Sequence, residues 1–209
     1  MKLSELTVDG FVKELASNSP APGGGSVAAL VASLGTALTA MVAELTVGKE
    51  KYKDNWEDMD KVLSRAKDLQ PRFLELMEKD TEAFNGFMAA IKMPKNTEEE
   101  KSTRSEAIQQ ATKRAVKVPF ETMRRCVSMA ELAEIACSKG NPNAVTDAGS
   151  AAVLARAAAV AASYNVKINL MTLKDKHFAS EMKEEMEATL SRIEKLTASI
   201  EKTVEASIS

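Results

Sequence analysis

Residues 20–43 read PAPGGGSVAALVASLGTALTAMVA. Pro20 and Pro22 cannot extend a preceding helix, because proline fixes φ and lacks the N–H a helix needs. Gly23, Gly24 and Gly25 leave the backbone bare and free to adopt unusual angles. Ser26 then stands where a helix should begin. Unpaired N–H groups and the positive dipole end favour an anion at such a start. A glycine turn alone is common, so the rest of the chain decides its meaning. From Val27 to Ala43 no residue is charged, and Glu44 is the only charge before Gly48. Val27, Leu30, Val31, Leu34, Leu38, Met41, Val42 and Leu45 recur at helical spacing. Ala28, Ala29, Ala32, Ser33, Gly35, Thr36, Ala37, Thr39, Ala40 and Ala43 fill the opposite face. The stretch borders on membrane-spanning length. Its split into large and small faces suits the centre of a soluble bundle, where small residues let helices approach closely, and we expect no membrane partner.

Composition agrees with a helical protein. The chain has 209 residues, enough for one domain over 1–209, with 44% hydrophobic and only 4% aromatic residues. No β-branched run alternates with period two, so the expectation is all-α: an up-and-down helical bundle of long, partly kinked helices. A net charge of −2 does not suggest a nucleic-acid partner. Cys126 and Cys137 lie about 16 Å apart along one expected helix, too far to bridge within it. Reduced thiols and an N-terminal MKLSE without an apolar signal core suit a cytoplasmic protein.

Outward from the glycine stretch, the spacing predicts a first helix near Thr7–Ser17 with Phe11, Val12 and Leu15 inward. The second helix stops near Gly48, followed by Lys49, Lys51 and Lys53 around Tyr52. The third runs from Asp54 or Asn55 to Ile91 with a kink or split at Pro71. Phe73, Met77, Asp80, Phe84, Phe87 and Ile91 form one stripe, in which Asp80 is the only charge. Such a carboxylate either faces a cavity or is paired inside the core. The fourth helix opens with a Thr97–Glu100 capping box, is interrupted at Pro119, and ends at Lys139-Gly140. A polar turn from Gly140 leads to a second small-residue helix, with Thr146 or Asp147 in its first turn. Asn165 and Asn169 follow, sharing one face. Asp147 and Asn165 face the same way but stand about 27 Å apart on a straight helix. One small ligand cannot touch both without a break, a long ligand or a second subunit. The last helix runs from about Asp175, with Phe178, Met182, Met186, Leu190, Ile193, Leu196, Ile200 and Val204 as its apolar stripe.

His177 is the only histidine, in a charged turn, so no Cys/His metal cluster is expected. No Gly-Lys-Ser/Thr follows the glycines and no strand precedes them, which excludes a P-loop. The polar residues left on apolar or small-residue surfaces are Gly23, Gly24, Gly25 and Ser26, with Lys49, Asp80, Asn141, Asp147, Asn165 and Asn169. Amides, one lysine and two carboxylates suit binding a planar heterocycle and moving protons. They do not suit redox chemistry without a cofactor.

Five segments resemble the cyclodeaminase/cyclohydrolase family: residues 20–29, residues 45–49 with Tyr52, residues 80–84, residues 140–149 and residues 165–170. That family includes the cyclodeaminase half of formiminotransferase-cyclodeaminase and stand-alone methenyltetrahydrofolate cyclohydrolases. Thr146 stands where the family more often has Ser, which keeps the hydroxyl. The resemblance implies a homodimer and a tetrahydrofolate substrate, with or without a polyglutamate tail, and no further cofactor. It implies one of two reactions at a single carbon: closure to 5,10-methenyltetrahydrofolate with loss of ammonia, or its opening by water. A non-catalytic folate-binding or assembly protein on the same scaffold is the alternative. Both reactions need a proton shuttle, which is expected to be Asp147, or Asp80 if burial raises its pKa more. Lys49 would stabilise a carboxylate partner or hold the folate's negative tail. Asn165 and Asn169 would bond the pterin edge. The glycine loop would take a carboxylate of the tail or the pterin oxygen.

Overall fold

A computed structural model describes residues 2–209. Six α-helices account for most of them: α1 Val8–Leu15, α2 Gly24–Glu44, α3 Trp56–Ile91, α4 Glu98–Lys139, α5 Val145–Leu170 and α6 Lys176–Ile208. No strand occurs among the described residues. Short connections join α3 to α4, α4 to α5 and α5 to α6, and from α2 onward each helix packs on the next. Such links produce antiparallel neighbours, so the expected up-and-down all-α bundle is the architecture present.

Local chemistry sets the ends. Thr97 caps α4, accepting from the Glu100 N–H at 3.1 Å while Glu100 reaches back to the Thr97 N–H. Asp175 caps α6 by accepting from the Phe178 N–H at 3.1 Å. After α2, Gly48 adopts a positive φ of 75°, a conformation few other residues tolerate.

α2 and α5 lie at the centre, and their small faces do the packing. Ala29, Ala32, Thr36, Ala43, Ala151, Ala155 and Ala159 have no exposed surface. A Cβ at Gly35 would lie 3.3 Å from the Ala151 carbonyl and 2.0 Å from Met129 Cε, so close approach there requires glycine. The buried Thr36 and Thr39 hydroxyls donate to carbonyls one turn earlier, at 2.8 and 3.1 Å.

On α2 the small face packs, as its residues led us to expect, and the large face is left partly outward: Leu34 is 54% exposed, and Met41 and Leu45 are each 38% exposed. Close packing of the small face pushes the bulky side chains to the rim. Two expectations need correction. Val12 is exposed, because α1 lays only Phe11 and part of Leu15 on the bundle. Neither Pro71 nor Pro119 breaks its helix. A proline inside a helix costs about 3 kcal/mol, but a break would free turns anchored on both sides. Leu69, Phe73 and Leu76 hold α3, and Val116, Phe120 and Met123 hold α4. The stripe on α6 buries Met182, Met186, Ile193 and Ile200 as expected. α2 and the 142–170 segment are long and apolar enough to cross a membrane, yet 56% and 50% of their apolar windows are buried in the bundle.

Candidate active site

Asp80 lies against the N-terminus of α2. The N-cap residue, Gly23, has no side chain to satisfy the first N–H groups of that helix. Asp80 reaches across from α3, and its Oδ2 accepts from the Ser26 hydroxyl at 2.9 Å. The Ser26 hydroxyl is also 3.2 Å from Thr81 Oγ1. Close approach depends on Gly25: a Cβ there would lie 2.2 Å from Asp80 Oδ1. Burial pushes the Asp80 carboxyl above the usual carboxylate range, while hydrogen bonding from the Ser26 side chain and backbone pulls it back.

Beside this carboxyl is a cavity of about 280 Å³. Pro20, Ala21 and the three glycines form one wall, and Phe84 and Phe87 of α3 form another. Asn165 and Asn169 of α5 close it with Ala115 of α4. The Asn165 amide nitrogen donates to the Ala161 carbonyl at 3.1 Å. That of Asn169 donates to the Ala115 and Asn165 carbonyls at 3.1 and 2.8 Å. These bonds hold both amide planes and leave the side-chain oxygens as acceptors for a ligand's N–H groups. Among the described residues, Asp80 is the only charged group lining the cavity. An apolar and aromatic slot with amide acceptors and one protonatable carboxyl suits a flat, nitrogen-rich ring undergoing proton transfer.

The structure thus brings Gly23, Gly24, Gly25, Asp80, Asn165 and Asn169 together. Ser26 stands behind the cavity wall with no exposed surface and touches Asp80 instead of the open space. Lys49, Asn141 and Asp147 lie elsewhere. α5 is continuous, so Asp147 in its first turn is about 27 Å from Asn165. Asn141 is a hub of that far end. Its Oδ1 accepts from the Tyr52 hydroxyl at 2.8 Å, and its N–H donates to Thr46 Oγ1 at 2.8 Å. Lys49 is exposed beside it, just before a 3-10 turn at Glu50–Asn55.

Sequence reasoning placed Phe84 and Phe87 on the Asp80 stripe without counting them as site residues. Their i+4 and i+7 spacing from Asp80 was the available signal. Pro20, Ala21, Ala83 and Ala115 carry no chemical signal and are cavity walls through packing alone. His177 is 85% exposed and pairs with Glu181. Burial raises the Cys126 thiol well above its ordinary pKa, so it is a packing residue.

The family model described as formiminotransferase-cyclodeaminase matches residues 7–188. The chain belongs to the formiminotransferase-cyclodeaminase family. Within it, the chain is 40% identical to a methenyltetrahydrofolate cyclohydrolase of Methylorubrum extorquens, over 97% of both chains. It is 34% identical to the formimidoyltransferase-cyclodeaminase of Mus musculus over 84% of this chain and 32% of that longer protein. Among solved structures, formiminotetrahydrofolate cyclodeaminase from Thermotoga maritima superposes with a TM-score of 0.90 at 30% identity, covering both chains fully. The family's all-α fold is therefore matched along the whole chain.

Proposed function

We propose that this chain is a cytoplasmic one-carbon folate enzyme that opens 5,10-methenyltetrahydrofolate with water, at the cavity beside Asp80. The observation that carries the reading is the joining of the glycine wall, Asp80, Asn165 and Asn169 around one slot in a chain that aligns end to end with a cyclohydrolase. The substrate is a cation with its charge spread over N5, the bridging carbon and N10. Asp80 takes a proton as water adds to that carbon, giving a neutral carbinol. It returns that proton to N5 as the carbon–N5 bond breaks. The carbinol hydroxyl loses its own proton as the formyl C=O forms, so one proton is released per turnover. A carboxyl raised by burial is better matched to taking and returning a proton than an ordinary carboxylate.

Cyclodeamination uses the same geometry. N10 of protonated 5-formiminotetrahydrofolate attacks the formimino carbon, its proton passes to the amino group, and ammonia leaves. The full-length likeness to the Thermotoga maritima cyclodeaminase favours this as the second reading. Loss of the methenyl absorbance separates the two when each substrate is supplied alone. Consumption of methenyltetrahydrofolate above the uncatalysed rate supports the hydrolase, and ammonia release supports the deaminase. Folate binding without either turnover would overturn the enzymatic reading in favour of a binding scaffold.

We further propose a homodimer in which Lys49, Asn141 and Asp147 of one chain approach the cavity of the other. α2 and α5 pack on each other, and both leave apolar side chains outward, among them Leu34, Met41, Val153, Tyr164 and Ile168. Exposed apolar surface of this kind marks an association site. Asp147 and Asn165 share a face of α5, so a two-fold axis near the middle of that helix would exchange the two ends. Mixing the inactive variants Asp80→Asn and Asp147→Asn tests this. One intact site per mixed dimer should restore about a quarter of wild-type activity after random exchange, and no recovery would overturn the shared site.

A further inference from the structure

A carboxyl group that passes protons must present one chosen oxygen to the reacting atom in every turnover. The Asp80 terminal torsion is broad and roughly two-fold, so its own stereochemistry does not make that choice. Ser26 supplies the constraint. It has no exposed surface, and its hydroxyl lies between Asp80 Oδ2 at 2.9 Å and Thr81 Oγ1 at 3.2 Å. Oδ1 is the nearer of the two oxygens to where a Gly25 Cβ would stand, 2.2 against 2.6 Å, and Gly25 is a residue of the cavity wall. We propose that Ser26 is a positioning residue for Asp80: its hydroxyl, oriented by Thr81, pins Oδ2 and thereby assigns Oδ1 as the proton-carrying oxygen.

The proposal rests on the reading of Asp80 as the proton shuttle. The Ser26 hydroxyl suits both halves of such a cycle. It donates to Oδ2 when Asp80 is ionised, and it donates to the same oxygen as a carbonyl when Oδ1 carries the proton. A lysine or arginine in its place would hold the carboxyl in the ionised form. None lines the cavity: Gly25 and Ser26 of α2 meet the carboxyl, and the cavity beside it is walled by Phe84 of its own helix, Ala115 of α4, and Asn165 and Asn169 of α5. None of these carries a charge, and α6 contributes no residue to the cavity. The Thr81 hydroxyl meets the Ser26 hydroxyl and not the carboxyl itself, so its removal tests the orienting role.

The test is a 13C titration of the aspartate carboxyl carbons without substrate, with the Asp80 signal identified by its loss in Asp80→Asn. In Ser26→Ala the charged form loses a donor, so the Asp80 midpoint should rise by about one pH unit. The acid limb of the kcat/KM profile should rise with it, and kcat should fall about tenfold or more while KM stays near wild type. Thr81→Val should move the midpoint the same way by less, and Thr81→Ser should restore it, which keeps the test available if Ser26→Ala does not fold. A midpoint in Ser26→Ala within about 0.2 pH unit of wild type overturns the proposal. So does a midpoint in Thr81→Ser displaced as far as in Thr81→Val. If Asp80→Asn keeps wild-type turnover, the shuttle reading fails instead. The substrate-free midpoints then still report whether Ser26 positions the carboxyl.

Discussion

Gly25→Ala puts the geometry of the site under the most direct test. The added Cβ would lie 2.2 Å from Asp80 Oδ1 and 2.6 Å from both Cγ and Oδ2. Ordinary contact begins near 3.4 Å, so the carboxyl must retreat by more than about 1 Å. Asp80 has a short side chain, and that retreat breaks its bond to Ser26. A misplacement of this size costs on the order of 100-fold in rate. Overpacking and the lost hydrogen bond together cost about 1–3 kcal/mol, or roughly 2–10 °C in Tm for a chain of this size. The neighbouring glycines are internal controls. A Cβ at Gly24 meets only Asn165 Nδ2 at 3.5 Å, and one at Gly23 meets nothing within 4 Å. The expected order of damage is therefore Gly25 far above Gly24 and Gly23. The assay is methenyltetrahydrofolate absorbance for turnover, with circular dichroism for Tm. Gly25→Ala within about threefold of wild type in kcat, or no worse than Gly24→Ala, would refute the argument.

Asp80→Asn should abolish turnover while leaving the fold intact, because the amide oxygen can still accept from Ser26. The carboxyl's pKa is raised in the folded chain, so its contribution to stability is full below its unfolded value of 3.8 and is lost as pH rises through the folded value. Tm of wild type relative to Asp80→Asn should therefore fall as pH rises above about 4, and a rise would contradict the sign. Phe87→Ala removes an aromatic wall and should raise KM up to about tenfold with a smaller change in kcat, which steady-state kinetics will show. Leu34→Glu should leave a folded single chain in sedimentation and lower activity sharply. A wild-type protein already sedimenting as one chain would sink the dimer proposal.

Much of this protein is legible without coordinates. Periodicity placed the long helices because each must bury an apolar or small-residue face, and Thr97, Asp175 and Gly48 marked their ends through chemistry local to a few residues. Asp80 was legible as a site candidate because a lone carboxylate on an apolar stripe demands an explanation. Local rules overreached at Pro71 and Pro119, where packing on both sides of the proline outweighs a penalty of about 3 kcal/mol. On α2 the small residues did mark the packing face, because only they let neighbouring helices approach closely.

The amino-acid sequence by itself determined the helical class, the helix limits and the short list of polar residues. Tertiary structure alone decided how that list divides. Asn165 and Asn169 join the glycine wall and Asp80 because α2, α3 and α5 converge there, whereas Lys49, Asn141 and Asp147 stand at the opposite end of the bundle. The reason is geometric. Residues five turns apart on one helix share a direction but not a place, and only packing between helices says which of them meet.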